Sequence, residues 1–189
     1  MDNLEFEKLD EIIVKSTLFG IHHISDIKNK EHEKIGSIQV PSAQKYWQTI
    51  LILDNQGNTI TKIEGGEKNQ PHQVIARIYD SQNTLLATMV TFRSEGNVFT
   101  GKVTSIVADG KNKEIFRIAA DFTSGRYGKA LNNTEFTRDG RKIVEYESSF
   151  WNSETHIKLL EEIDMRIVLA SFIQFQGDAG RAAALIETV

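Results

Sequence analysis

The chain of 189 residues contains no cysteine. That absence removes disulfide staples, thiolate nucleophiles and cysteine-ligated zinc or iron–sulfur centres together. Proline is nearly missing as well, with Pro41 and Pro71 the two present, and no Ser/Gly-rich stretch divides the chain. One domain spanning residues 1–189 is therefore expected, since all-β units commonly run to about 200 residues. A basic excess is also lacking: 22 Lys and Arg stand against 26 Asp and Glu, for a net charge of −4. Nucleic-acid binding draws affinity from neutralised phosphates, so no nucleic-acid partner is expected. The densest apolar run, residues 167–175, is broken by Ser171 and Gln174. It falls well short of the roughly 20 residues a membrane-crossing helix needs. Residues 1–10 are acidic and carry no secretion signal, so a cytoplasmic protein without a transmembrane segment is expected.

Catalytic and metal signatures are missing too. His22 and His23 are neighbours on an expected strand, where they point to opposite faces and do not share a metal. His32, His72 and His156 are scattered. Ser148 and Ser149 lack the glycine-flanked elbow of a nucleophile. Glu161, Glu162 and Asp164 crowd together, where carboxylates complement the start of a helix. No catalytic residue, metal or cofactor is expected.

What is present is a recurring strand–turn–strand pattern. Ile50-Leu51-Ile52-Leu53 runs into Asp54-Asn55-Gln56-Gly57-Asn58 and out through Thr59-Ile60-Thr61-Lys62-Ile63. Val74-Ile75-Ala76-Arg77-Ile78-Tyr79 does the same through Asp80-Ser81-Gln82-Asn83. Thr134-Glu135-Phe136-Thr137 turns at Asp139-Gly140 into Lys142-Ile143-Val144-Glu145-Tyr146. A degenerate copy with a longer loop, residues 26–34, stands near the N-terminus. Alternating β-branched and aromatic residues make half-buried strands, while Asp, Asn and Gly supply side-chain turn bonds and left-handed backbone. Further short strands, punctuated by Asp109-Gly110 and Ser124-Gly125, point to a barrel or sandwich. The tryptophans Trp47 and Trp151, with Tyr46 and Phe150, are read as core or rim residues.

After Asp164 the period changes. Met165, Ile167, Val168, Leu169, Ala170, Phe172, Ile173 and Phe175 cover nearly the whole circumference of a helix. A helix apolar all round has to be buried all round. Asp164 suits its N-cap and Gly177 its end. The alternation His156-Ile157-Lys158-Leu159 favours a last strand before it over an earlier helix start near Ser153. Two arrangements bury such a helix: it threads a closed barrel, or it caps an open end beneath the tail. Threading is the economical one.

Repeated strand–Asp–strand units closed by an Asp and an apolar helix resemble the tubby C-terminal-like superfamily, most nearly its LURP-one-related and phospholipid scramblase branch. The resemblance rests on Ile52-Leu53-Asp54-Asn55-Gln56-Gly57-Asn58, Ile78-Tyr79-Asp80-Ser81-Gln82-Asn83, and Asp164 with residues 167–175. It implies a twelve-stranded barrel around a central helix, with phosphoinositide binding in tubby proteins and lipid association in scramblases. The expected fold is thus mainly β (α+β): a closed antiparallel β-barrel of hairpin repeats at about residues 11–163, a central helix at about 164–176, and a C-terminal tail at 177–189.

Two basic groups are candidates for an anionic headgroup. Thr123-Ser124-Gly125-Arg126-Tyr127-Gly128-Lys129 places Arg126 and Lys129 beside glycines, where amides and cations could hold a phosphate. Its spacing is too short for a Walker loop, and Ala130 stands where the magnesium-binding hydroxyl belongs. Arg138, Arg141 and Lys142 cluster at a hairpin tip. Three functions stay open: a non-enzymatic tubby-like module binding an anionic lipid headgroup or a protein, a small-molecule barrel protein or enzyme with an internal cavity, and an interaction domain without ligand.

Overall fold

The computed structural model describes residues 6–16, 24–40, 49–70, 73–96, 100–125, 128–149 and 154–184. Within them, alternating sequence becomes thirteen strands of one antiparallel sheet. They are β1 (Glu11–Ser16), β2 (Ile24–Lys28), β3 (Lys34–Gln39), β4 (Thr49–Asp54), β5 (Thr59–Gln70), β6 (Gln73–Asp80) and β7 (Leu85–Gly96). There follow β8 (Thr100–Ala108), β9 (Glu114–Gly125), β10 (Gly128–Arg138), β11 (Arg141–Lys142), β12 (Val144–Ser149) and β13 (Glu154–Leu159). Neighbours in sequence pair from β1 to β11, and β13 then β12 lie on the other side of β1. Trp47, Trp151, Tyr46 and Phe150 fall outside the described residues.

The sheet curls until its two ends meet in one stretch of chain. β11 pairs with β10 at one end of the strand order, and β12 pairs with β13 at the other. Ile143 joins them: its N–H donates to the Phe136 carbonyl (2.9 Å), and its carbonyl accepts from Leu160 N–H (2.9 Å). Counting β11 and β12 as one strand that changes partner at Ile143 turns thirteen strands into twelve.

Hairpins on the first side of the barrel share one design. Asp54 Oδ1 accepts from the Gln56 and Asn58 amides (both 2.8 Å), Asp80 Oδ1 from Gln82 and Thr84 (2.9 and 2.8 Å), and Asp109 Oδ1 from Lys111 and Lys113 (2.8 and 2.9 Å). Three residues after each Asp the backbone turns left-handed, at Gly57, Asn83 and Asn112, residue types that tolerate it. The degenerate N-terminal copy is in fact a tight member of the set. Asn29 replaces Asp and accepts from the Glu33 amide (2.9 Å), His32 takes the left-handed place, and Asp26 lies within β2 and not in the loop. Two residues past each turn one apolar residue is bulged out of register: Ile35, Ile60, Leu86 and Ile115. Each bulge lets an extra apolar side chain reach the core beside its neighbour.

Helix α1 (Met165–Ala184) enters from this turn end, and residues 165–175 are all buried. It is threaded, not laid across an open mouth. α1 packs against β5 to β10, closest to β7. Small inward residues make room there: Ala76, Ala87, Ser105 and Gly65. A Cβ on Gly65 would collide with the Gln174 side chain. On the other half of the wall, Ile12, Ile27, Ile50, Ile52 and Ile157 fill the wider space. Asp164 is the N-cap, its Oδ1 accepting the Arg166 amide (2.9 Å) and its carbonyl the Ile167 amide (3.1 Å). Gly177 does not end the helix, which runs through it and Gly180 to Ala184. A mid-helix glycine costs about 1 kcal/mol relative to alanine, and the alanines at 182–184 are the best helix formers. The expected tail beginning at 177 is therefore partly helical.

Candidate functional site

Charged side chains gather at the turn end, where the helix starts and residues 6–10 cross the rim. Phe6 is buried there, and Leu159 N–H donates to the Asp10 carbonyl (2.7 Å). The Arg166 guanidinium is nearly inaccessible. It contacts Asp164 Oδ2 at 2.7 Å and Glu7 Oε1 at 2.6 Å, with Nε donating to both Asp164 oxygens. Burial works against its charge, but the Asp164 hydrogen bonds and the charges of Asp164, Glu7 and Asp80 outweigh that and raise its pKa. This cluster pins the N-terminal segment to the helix start. Its Nε and Nη2 donors are used within the protein.

Beside it, β8–β9 and β10–β11 turns flank an open groove of about 850 Å³, lined by Asp109, Lys113, Glu114, Arg117, Arg138 and Asp139 among others. Arg138 donates to the Ile115 carbonyl (2.8 Å) and reaches Glu161 Oε2 (3.4 Å). Arg141, 73% exposed, approaches the other oxygen of Glu161 at 3.8 Å. Arg117 and Glu114 form a two-pronged pair at 2.7 and 2.8 Å. Hydrogen bonding and charge in that pair lower the carboxyl pKa of Glu114 and raise that of Arg117. The groove therefore presents charges of both signs, and two of its cations, Arg117 and Arg138, already hold carboxylates.

Of the five basic candidates, Arg138, Arg141 and Lys142 come together at the β10–β11 tip. Lys129 lies at the other end of β10, its backbone opposite Ser124. Nine residue steps of strand separate it from Arg138, roughly 30 Å at about 3.3 Å per step. Among the described residues, the β10–β11 tip and the Lys129 backbone thus stand at opposite ends of β10. The β9–β10 ladder is paired as far as Gly125 and Gly128, and the rest of the glycine-flanked segment, Arg126 and Tyr127, lies outside the described residues.

The sequence reading missed the partner of the tip. The sequence groups Glu161 with Glu162 and Asp164 as a complement to the helix start. Asp164 does that work, while Glu161 turns toward Arg138 and Arg141. No short-range signal links residues 23 and 20 positions apart; barrel closure brings them together. Among the described residues no three metal-ligating groups cluster, and no helix is long and apolar enough to cross a membrane. No protein-family model, curated protein or solved structure matches the chain.

Proposed function

We propose that this chain is a non-enzymatic binding module of the tubby-like kind, related to the LURP-one-related and scramblase branch, and that it recognises a protein partner on the outside of its barrel. The observation that carries this reading is the occupied interior. Every residue of α1 from 165 to 175 is buried inside the sheet, where a carrier would keep its ligand. The count of twelve strands, with β11 and β12 taken as one, supports the tubby-like comparison. A protein partner is favoured over a lipid headgroup because Glu161 already sits against Arg138 and Arg141, and the chain is acidic.

Vesicle flotation tests the choice of partner. The full chain should stay with the soluble fraction on phosphatidylcholine vesicles containing phosphatidylserine or phosphatidylinositol bisphosphate, even at low salt. Flotation abolished by Arg141→Glu and Lys142→Glu would transfer the reading to an anionic lipid. Titration with a long-chain fatty acid should show no saturable uptake; stoichiometric binding would restore an internal cavity.

A further inference from the structure

The sheet closes at one point and not along a ladder. β10 pairs with β9 on one side, but on the other only Thr137 and Arg138 meet β11. β12 pairs with β13 along its whole length, and no ladder joins it to β10 among the described residues. Beyond the Ile143–Phe136 hydrogen bond, two strand edges therefore face one another with no strand partner among the described residues: residues 128–135 of β10 and 144–149 of β12. Unpaired edges present rows of backbone donors and acceptors, a template for a further strand.

The side chains around the opening specify what would fill it. Phe136 from β10, Phe172 from α1 and Tyr146 from β12 stack across it from within, at centroid distances of 6.2 and 5.6 Å. Leu131 and Tyr146 remain partly exposed against this core. On the outer face, Glu135 of β10 and Glu145 and Glu147 of β12 are exposed. On β13, Lys158 stands opposite Glu145 and His156 opposite Glu147.

We infer that the opening between β10 and β12 is a docking site for an extended segment of a partner protein that alternates apolar and basic residues. The inference rests on the reading of the chain as a protein-binding module. The segment adds a strand to the free edges. Its apolar side chains meet Leu131 and Tyr146 inward, and its Lys or Arg residues meet Glu135, Glu145 and Glu147 outward.

The probe is a seven-residue peptide alternating Lys and Val, with two controls: Glu in place of Lys, and the Lys/Val peptide N-methylated at its valines. Amide exchange followed by NMR on the full chain reports the site, and fluorescence anisotropy reports affinity. In the free protein, alternate amides of β12 should exchange much faster than those of β7, which is paired on both sides. The Lys/Val peptide should slow them, with those at 129–135 of β10. Neither control should do so. Glu145→Lys with Glu147→Lys, both at exposed positions, should weaken binding by about tenfold or more. Edge amides as slow as β7 in the free protein would mean the chain already covers its own edges, and the inference fails. Protection confined to another face would remove this site while leaving a protein-binding module. Absence of binding by the Lys/Val peptide overturns the site as well; flotation on anionic vesicles would separately remove the protein-partner reading.

Discussion

Opposite volume changes on adjacent faces of α1 test whether the helix is enclosed on all sides. Leu169 and Ala170 are both fully buried, and successive helix positions point about 100° apart. Leu169→Ala deletes three carbons, worth about 2.4 kcal/mol at ~0.8 kcal/mol each. The cavity left behind brings the loss to about 3–5 kcal/mol. Ala170→Leu inserts the same three carbons against the wall and costs about 1–3 kcal/mol in strain. For a chain of this size each kcal/mol lowers Tm by roughly 2–4 °C, so Leu169→Ala should melt about 6–20 °C early. Gln176, the exposed residue after the buried run, serves as control; Gln176→Ala should stay within about 0.5 kcal/mol. Thermal and urea unfolding followed by circular dichroism provide the readout. A helix lying across an open end would leave one of the two faces free to accept its change. If either Leu169→Ala or Ala170→Leu leaves Tm within the span of the Gln176→Ala control, the threaded barrel is wrong.

Three further outcomes follow from single residues. Asp54 is held below the ordinary carboxylate range, chiefly by the Asn58 side-chain amide and then by the Asn58 and Gln56 backbone amides. Its contribution is present above the unfolded value of about 3.9 and is lost as pH falls below it. Asp54→Asn should therefore lose that contribution at pH 7 and flatten the acid limb of a stability–pH curve, with the two proteins converging at low pH, while the turn still forms because Asn29 serves the same one; an unchanged acid limb would refute this. Ser171 Oγ is buried with no partner among the described residues, so Ser171→Ala should be neutral or stabilising by about 1 kcal/mol, and a loss of more than about 1 kcal/mol in urea would show that the hydroxyl is satisfied. A Cβ at Gly36 would strike the Leu53 carbonyl across the β3–β4 ladder, so Gly36→Val should sharply lower expression and Tm, and a native-like melt would count against the register.

The hairpins and the helix were legible because each is coded locally. Asp54, Asp80 and Asp109 announce turns through their own side-chain bonds, and the apolar circumference of residues 165–175 admits no exposed face. Asn29 is not marked in the sequence because its turn lacks both the Asp and the Gly, though its side-chain Oδ1 accepts the same amide. Gly177 misled because a glycine ends a helix only when the chain beyond prefers another course, and residues 182–184 prefer helix. The candidate site was legible least. Whether Arg138 is a free cation depends on Glu161, and that pairing exists only once β10 and the segment after β13 become neighbours at the closing seam. Charge clusters read along the chain carry no information about such partners.

Recognition requires hydrogen-bonding groups or surfaces that the fold has not already used. At the turn end, Asp54, Asp80 and Asp109 each consume two amides that an anion would otherwise meet. Arg166 is spent on Asp164 and Glu7, and Arg138 on Ile115 and Glu161. The interior is filled by α1. In the sheet, β2 to β9 are paired on both sides. What this arrangement leaves unpaired among the described strands is the pair of edges beside Ile143. Closing a barrel by one residue that changes partner costs ladder hydrogen bonds that a full seam would supply, each worth about 0.5–1.5 kcal/mol net. A strand supplied by a partner recovers those bonds on both edges, so the gap that weakens the free barrel is also the place where binding has most to gain.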